Sequence, residues 1–137
     1  MRFLGLDVGD RTIGIAASDG LLLTAQGVET IRRKSLEQDL ARLGELMRQY
    51  ETEQLIVGLP KNMDGTQGPR CDIVRDFAAD VQRVFPSVKI TFWDERLSTV
   101  AAAKSLIAAD VSRAKRKKVI DKMAAVFILQ GYLDSRG

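Results

Sequence analysis

"RFLGLDVGDRTIGIAASD", residues 2–19, is the stretch whose reading decides the fold class. Its two apolar runs, residues 2–8 and 12–19, are separated by a short connection bearing Gly and Asp, and so predict neighbouring antiparallel strands. Alternation along Phe3, Gly5 and Asp7 puts Asp7 on one face at the end of an apolar strand, where an unpaired carboxylate is costly and calls for a cation. Asp10 falls in the connection from Val8 to Arg11, where an aspartate commonly supports a turn through nearby amides. Asp7 is therefore the candidate for chemistry, and Asp10 reads as structural.

Working outward, "LLLTAQGVET" at 21–30 predicts a third strand. A helix fits 34–51, where Leu36, Leu40, Leu43, Leu46 and Met47 recur at helical spacing and Ser35 with Gln38 resembles a capping box. "EQLIVGL" at 53–59 is a short continuous apolar run, suited to a strand covered on both faces. The segment 60–69, "PKNMDGTQGP", reads as a structured loop. A second helix over roughly 68–85 is stopped by Pro86, and "VKITFWDE" forms another strand. Ser98 or Thr99 caps a third helix to about Ala109, and the final helix covers "KVIDKMAAVFILQGYLDS". The order βββαβαβαα predicts an α/β domain spanning residues 1–137, a mixed sheet with helices on both faces.

Composition narrows the chemistry. The chain of 137 residues has no histidine, which excludes histidine-dependent triads and zinc sites of His or mixed Cys/His type. Any hydrolytic chemistry falls to carboxylates, which suit hard cations such as Mg²⁺ or Mn²⁺. The single cysteine, Cys71, cannot form an internal disulfide and reads as a surface or half-buried helix position, with intermolecular pairing left open. No run approaches the roughly 18–20 apolar residues of a membrane span, so a cytoplasmic protein with no membrane partner is expected.

Charge is localised. "VSRAKRKK" at 111–118 carries Arg113, Lys115, Arg116, Lys117 and Lys118 with no acid, and removing these five cations turns the formal +3 of the chain into −2. A phosphate-contacting patch requires such clustering; a solvated loop accounts for it equally well. Two further acids, Asp94 and Glu95, close the strand at 88–95 on opposite faces, and periodicity alone does not choose between them. In the last helix Asp121 heads a stripe of Ala124, Ala125, Ile128, Leu129 and Tyr132, whose small alanines permit close approach to the sheet. Asp134 points away from this stripe and is expected in solvent. Acids from distant parts of the chain can converge in this way on paired divalent ions.

Four motifs in order, "LDVGDRTIGIAASD", "IVGLPKNMDGTQGP", "DERLSTVAA" and "DKMAAVFILQGYLD", resemble the YqgF/RuvX family of Holliday junction resolvase-like proteins, also described as pre-16S rRNA nucleases. The resemblance covers nearly the whole chain. It implies an RNase H-like fold with a five-stranded mixed sheet flanked by helices, and Mg²⁺- or Mn²⁺-dependent nuclease chemistry with two ions. By position it puts the acidic site on Asp7, Glu95 and Asp121, and so favours Glu95 over Asp94. It makes Asn62, Asp64 and Gly65 candidates to shape the cleft, against a plain turn-forming role, and Arg96 a phosphate contact or the partner of an acid. Junction resolvases of this fold generally bring a fourth acid one turn after the position of Asp121, where this chain reads Lys122, Met123, Ala124 and Ala125. Processing of structured or single-stranded RNA, such as the 5′ end of pre-16S rRNA, is thus expected at least as much as cleavage of branched DNA. The rival is a nucleic-acid-binding ribosome-assembly or transcription accessory factor with vestigial acids; an actin-like kinase ranks last, because the chain is too short for a second lobe. A monomer or a homodimer is compatible with the sequence.

Overall fold

The computed structural model describes residues 2–62, 64–97 and 113–136, the last segment with side chains from Met123 onward. Five strands, β1 (Leu4–Val8), β2 (Thr12–Ser18), β3 (Ala25–Arg32), β4 (Gln54–Leu59) and β5 (Lys89–Asp94), form one sheet in the order β3-β2-β1-β4-β5. β1 pairs antiparallel with β2 and β2 with β3, whereas β4 joins β1 and β5 joins β4 in parallel. The helices are α1 (Leu36–Gln49), α2 (Pro69–Val84) and α3 (Arg113–Arg136), and a 3₁₀ turn, Glu95–Leu97, follows β5. The helix expected from Ser98 or Thr99 to Ala109 lies outside the described residues.

The antiparallel start and mixed sheet match the expectation, and the local signals act as anticipated. Ser35 caps α1 by accepting the Gln38 amide at 3.2 Å. α2 begins on Pro69, whose missing N–H costs nothing in a first turn, and ends just before Pro86. The third strand is displaced. Leu21 and Leu23, expected within it, belong to the turn before it and are 77% and 64% exposed. Asp19 holds that turn: its Oδ1 accepts the amides of Leu23 (2.7 Å) and Thr24 (3.2 Å), while Leu22 takes a left-handed φ of 59°. A side chain that captures backbone donors diverts the chain from the sheet ladder, which apolar periodicity cannot reveal.

Period-2 alternation in β1 divides the core. Leu4, Leu6 and Val8 join Leu40, Leu43, Leu46 and Met47 of α1 and Val74, Phe77 and Val81 of α2. Cys71 lies in this layer at 0% exposure, so the expectation of a surface or half-buried thiol is corrected; the α2 face it occupies packs directly on the sheet. On the other side Phe3, Ala16 and Ile56 meet Ala124, Ala125, Ile128, Leu129 and Leu133 of α3. The alanine-bearing stripe read from the sequence is this contact. Among the described residues no helix is long and apolar enough to cross a membrane.

α3 lies close because Gly5 has no side chain. A methyl group there would stand 2.7 Å from Leu129 Cβ and 3.1 Å from the Ala125 carbonyl oxygen. Gly5→Ala is expected to force the helix off β1 and cost about 1–3 kcal/mol, measured by urea unfolding.

Candidate active site

Because β1, β4 and β5 are parallel, their carboxyl ends share one edge of the sheet, where open α/β sheets place their ligands. Asp7 stands at this edge, half-buried, next to the last residue of β1. The register of β1 on β4 runs Gly5 to Ile56 and Leu6 to Val57, so its continuation sets Asp7 beside Gly58. Glu95 reaches the same place from β5: its Oε1 lies 2.8 Å from where a Cβ of Gly58 would be, and Ile128 of α3 closes on that glycine as well. Asp7 and Glu95 are therefore brought to one face and one edge of the sheet.

Asp94 is not with them. Its carboxylate binds Arg96 through Nη2 at 2.8 Å and Nε at 3.1 Å, and its Oδ1 also accepts the Arg96 amide at 2.9 Å. These bonds to Arg96 hold the Asp94 carboxyl below the usual carboxylate range. The two adjacent acids that periodicity could not separate thus differ in surroundings, one turned towards Gly58 and α3 and the other tied to a guanidinium.

α3 runs antiparallel to β1, since Ala125 and Leu129 lie over Gly5 while Tyr132 and Arg136 lie against Phe3, earlier in the chain. Its N-terminal turns accordingly head for the edge that carries Asp7 and Glu95. Asp121 belongs to this helix, seven residues or roughly 10 Å of axial rise before Ile128, and its side chain lies outside the described residues. Asp134 is exposed, as anticipated, and accepts a hydrogen bond from Gln130 at 2.9 Å. The cations Arg113, Lys115, Arg116, Lys117 and Lys118 fall within α3, not in a loop ahead of it, and their side chains likewise lie outside the described residues.

The loop before α2 is built by its own polar groups. The Asn62 amide donates to the Thr66 carbonyl and the Gly65 amide to the Asn62 carbonyl, both at 2.9 Å. Asp64 Oδ1 accepts the Thr66 hydroxyl at 2.6 Å and the Thr66 amide at 3.0 Å, which lowers the Asp64 pKa. Gly65 adopts φ +89°, and the Arg96 guanidinium lies across it, with Nη1 3.4 Å from a would-be Cβ. Arg96 thus joins this loop to the end of β5.

At the neighbouring hairpin the Gly9 amide donates to the Thr12 carbonyl at 2.8 Å. Asp10 is exposed and, among the described residues, its carboxylate has no hydrogen-bond partner, so the backbone closes this turn without its help. The hairpin is secured by Arg33, which sequence reasoning missed. Arg33 donates to the Gly9 carbonyl at 2.8 Å, pairs with the buried Asp39 at 3.1 Å and lies over the Phe77 ring. Gly58 was missed too, although a glycine inside an apolar strand is a signal of close approach.

Among the described residues no three acids, histidines or cysteines stand close enough to hold one ion, and the third candidate ligand, Asp121, has its side chain outside that set. The donors that do gather, Asp7 and Glu95, offer only carboxylate oxygens, a chemistry that fits a hard divalent cation.

A family model described as "RuvX: Holliday junction resolvase" matches residues 1–135. The chain belongs to the RuvX family. Within reach of this family, a protein of Heliobacterium modesticaldum named "Putative pre-16S rRNA nuclease" is 56% identical over 136 residues, 99% of this chain and 91% of that protein. A protein of the same name from Symbiobacterium thermophilum is 58% identical over 136 residues, covering 99% and 94%. Among solved structures, T. thermophilus RuvC in complex with Holliday junction substrate superposes with a TM-score of 0.62 at 12% identity, covering 99% of this chain and 96% of that one. The fowlpox virus Holliday junction resolvase gives 0.57 at 19% identity, with 100% of both chains covered. At such identities the likeness speaks for the fold, which is RNase H-like, as the RuvX resemblance implies.

The seat of Arg96 depends on a backbone that L-residues resist. Gly65→Ala is expected to cost about 1–2 kcal/mol in urea unfolding, and Gly65→Asn less, because asparagine tolerates positive φ.

Proposed function

We propose that this chain is a divalent-metal-dependent nuclease that hydrolyses phosphodiester bonds, with Asp7, Glu95 and Asp121 as the ion ligands. The observation that carries the reading is the meeting of Glu95 with the Asp7 end of β1 over Gly58, two acids 88 positions apart in the chain on one face. Glu95 shares the space over Gly58 with Ile128, and the oxygen-only donors of the two acids suit a hard divalent cation. Two Mg²⁺ or Mn²⁺ ions at such a site, when bound, supply activation of water and neutralise charge on the scissile phosphate.

The chain's own residues bind and orient the nucleic acid. Arg113, Lys115 and Arg116 fall in the first turn of α3, where the helix dipole disfavours positive charge, no acid accompanies them in that turn, and Lys117 and Lys118 follow directly. Helix stability does not explain them; attraction for a phosphate backbone does. Arg96, held by Asp94 and laid over the loop of Asn62, Asp64 and Gly65, gives the opposite wall of the cleft a fixed positive edge. The names of relatives more than half identical favour precursor 16S rRNA as substrate, with branched DNA as the second candidate. The protein acts in the cytoplasm on this reading, as a monomer or homodimer.

Two measurements test it. With labelled precursor rRNA, single-strand, duplex and junction substrates in Mn²⁺ or Mg²⁺, Asp7→Asn and Asp121→Asn are each expected to lower cleavage at least about a hundredfold, the upper end of what even outer partners of a metal contribute. Cleavage by either variant at the wild-type rate refutes the ligand assignment. If all five cations meet single-strand phosphates, log affinity falls against log salt with a slope of about −3.5, and a salt-independent affinity removes the basic segment from the interface.

A further inference from the structure

We propose that Asp94 is a positioning residue that aims Glu95, an inference that rests on Glu95 being an ion ligand as argued above. β5 ends at Asp94 and the 3₁₀ turn starts at Glu95, so sheet hydrogen bonds hold the chain only on the near side of Glu95. On the far side, the peptide linking Glu95 to Arg96 presents its N–H to Asp94 Oδ1 at 2.9 Å. With the peptide planes on both sides fixed, the Cα–Cβ direction of Glu95 is fixed as well, because each plane is rigid and only φ and ψ remain to turn it. The result is a carboxylate turned back over Gly58 instead of out along the strand.

The same Asp94 oxygens grip the Arg96 guanidinium, and that guanidinium rests across Gly65. The loop of Asn62, Asp64 and Gly65 thereby serves as the seat on which the Asp94–Arg96 pair is braced, and through it as a support for Glu95. Charge alone predicts something different, since a negative Asp94 near a cation site also attracts the cation. The two explanations separate when the charge and the acceptor are varied independently.

Mn²⁺ binding without nucleic acid is followed by quenching of Trp93, the single tryptophan of the chain and the cross-strand partner of Gly58. Asp94→Asn removes the charge and keeps the acceptor; Asp94→Glu keeps the charge and carries the acceptor a methylene too far. Positioning predicts that Asp94→Asn stays within about threefold of the wild-type Mn²⁺ affinity and that Asp94→Glu loses about tenfold, the scale of other partners that orient metal ligands. The reverse order, or equal effects of the two substitutions, overturns the proposal. Thermal unfolding is recorded in parallel, and if Asp94→Glu melts below the assay temperature, Asp94→Ala replaces it, since it also removes the acceptor, and the same comparison decides. Glu95→Gln in the same titration keeps the two readings apart. Loss of Mn²⁺ binding there with no difference between the Asp94 variants sinks only the positioning role, whereas wild-type binding by Glu95→Gln sinks the ligand assignment beneath it.

Discussion

Where α3 crosses β1, Gly5 lets the backbone of Ala125 and Leu129 come close against the strand, and over β4 Gly58 makes room for the Ile128 side chain. This contact between Gly5 and the segment from Ala125 to Leu129 sets the height of α3 above the sheet. Ile128 then closes on Gly58, and Glu95 lies in the same confined space. The dispersion contacts that hold the helix and the close confinement of the Glu95 carboxylate therefore have one geometric origin. A bulkier residue at either glycine would loosen both together.

Several charged groups are engaged in building the edge. Arg33 is spent on Asp39 and the Gly9 carbonyl, and Arg96 on Asp94, so these cations hold the hairpin and the β5 end in place. Glu29 and Arg42 do similar work between β3 and α1, with Glu45 as a second partner of the arginine. The cations at the head of α3 differ in standing against their helix dipole, with no acid in their first turn.

The architecture was largely readable from the residues, because a short Gly/Asp connection, a capped amphipathic helix and a continuous apolar run each have one natural structure. The turn at Asp19 was not, since a single side chain there outcompetes the ladder for two amides and takes Leu21 and Leu23 out of the sheet. Cys71 was misplaced because composition gives no orientation to a helix position. At the candidate site, alternation alone could single out Asp7 and leave Asp94 and Glu95 undecided, and the RuvX resemblance supplied the choice. Gly58 carried a signal of close approach that went unread, and a pairing of Arg96 with an acid was open from the start, whereas the role of Arg33 acquires meaning only when distant segments touch.

β1 is made first and α3 last among the elements described, yet β1 sits at the centre of the sheet and α3 lies directly upon it. The face that gathers Asp7 and Glu95 therefore stays uncovered until residues 124–133 have left the ribosome and docked. Until then Phe3 and Ile56 lack the side of the core that shelters them, and the chain depends on contacts more than 120 positions apart, the kind that form late. An element at the far end of the chain thus completes the layer begun by the first strand.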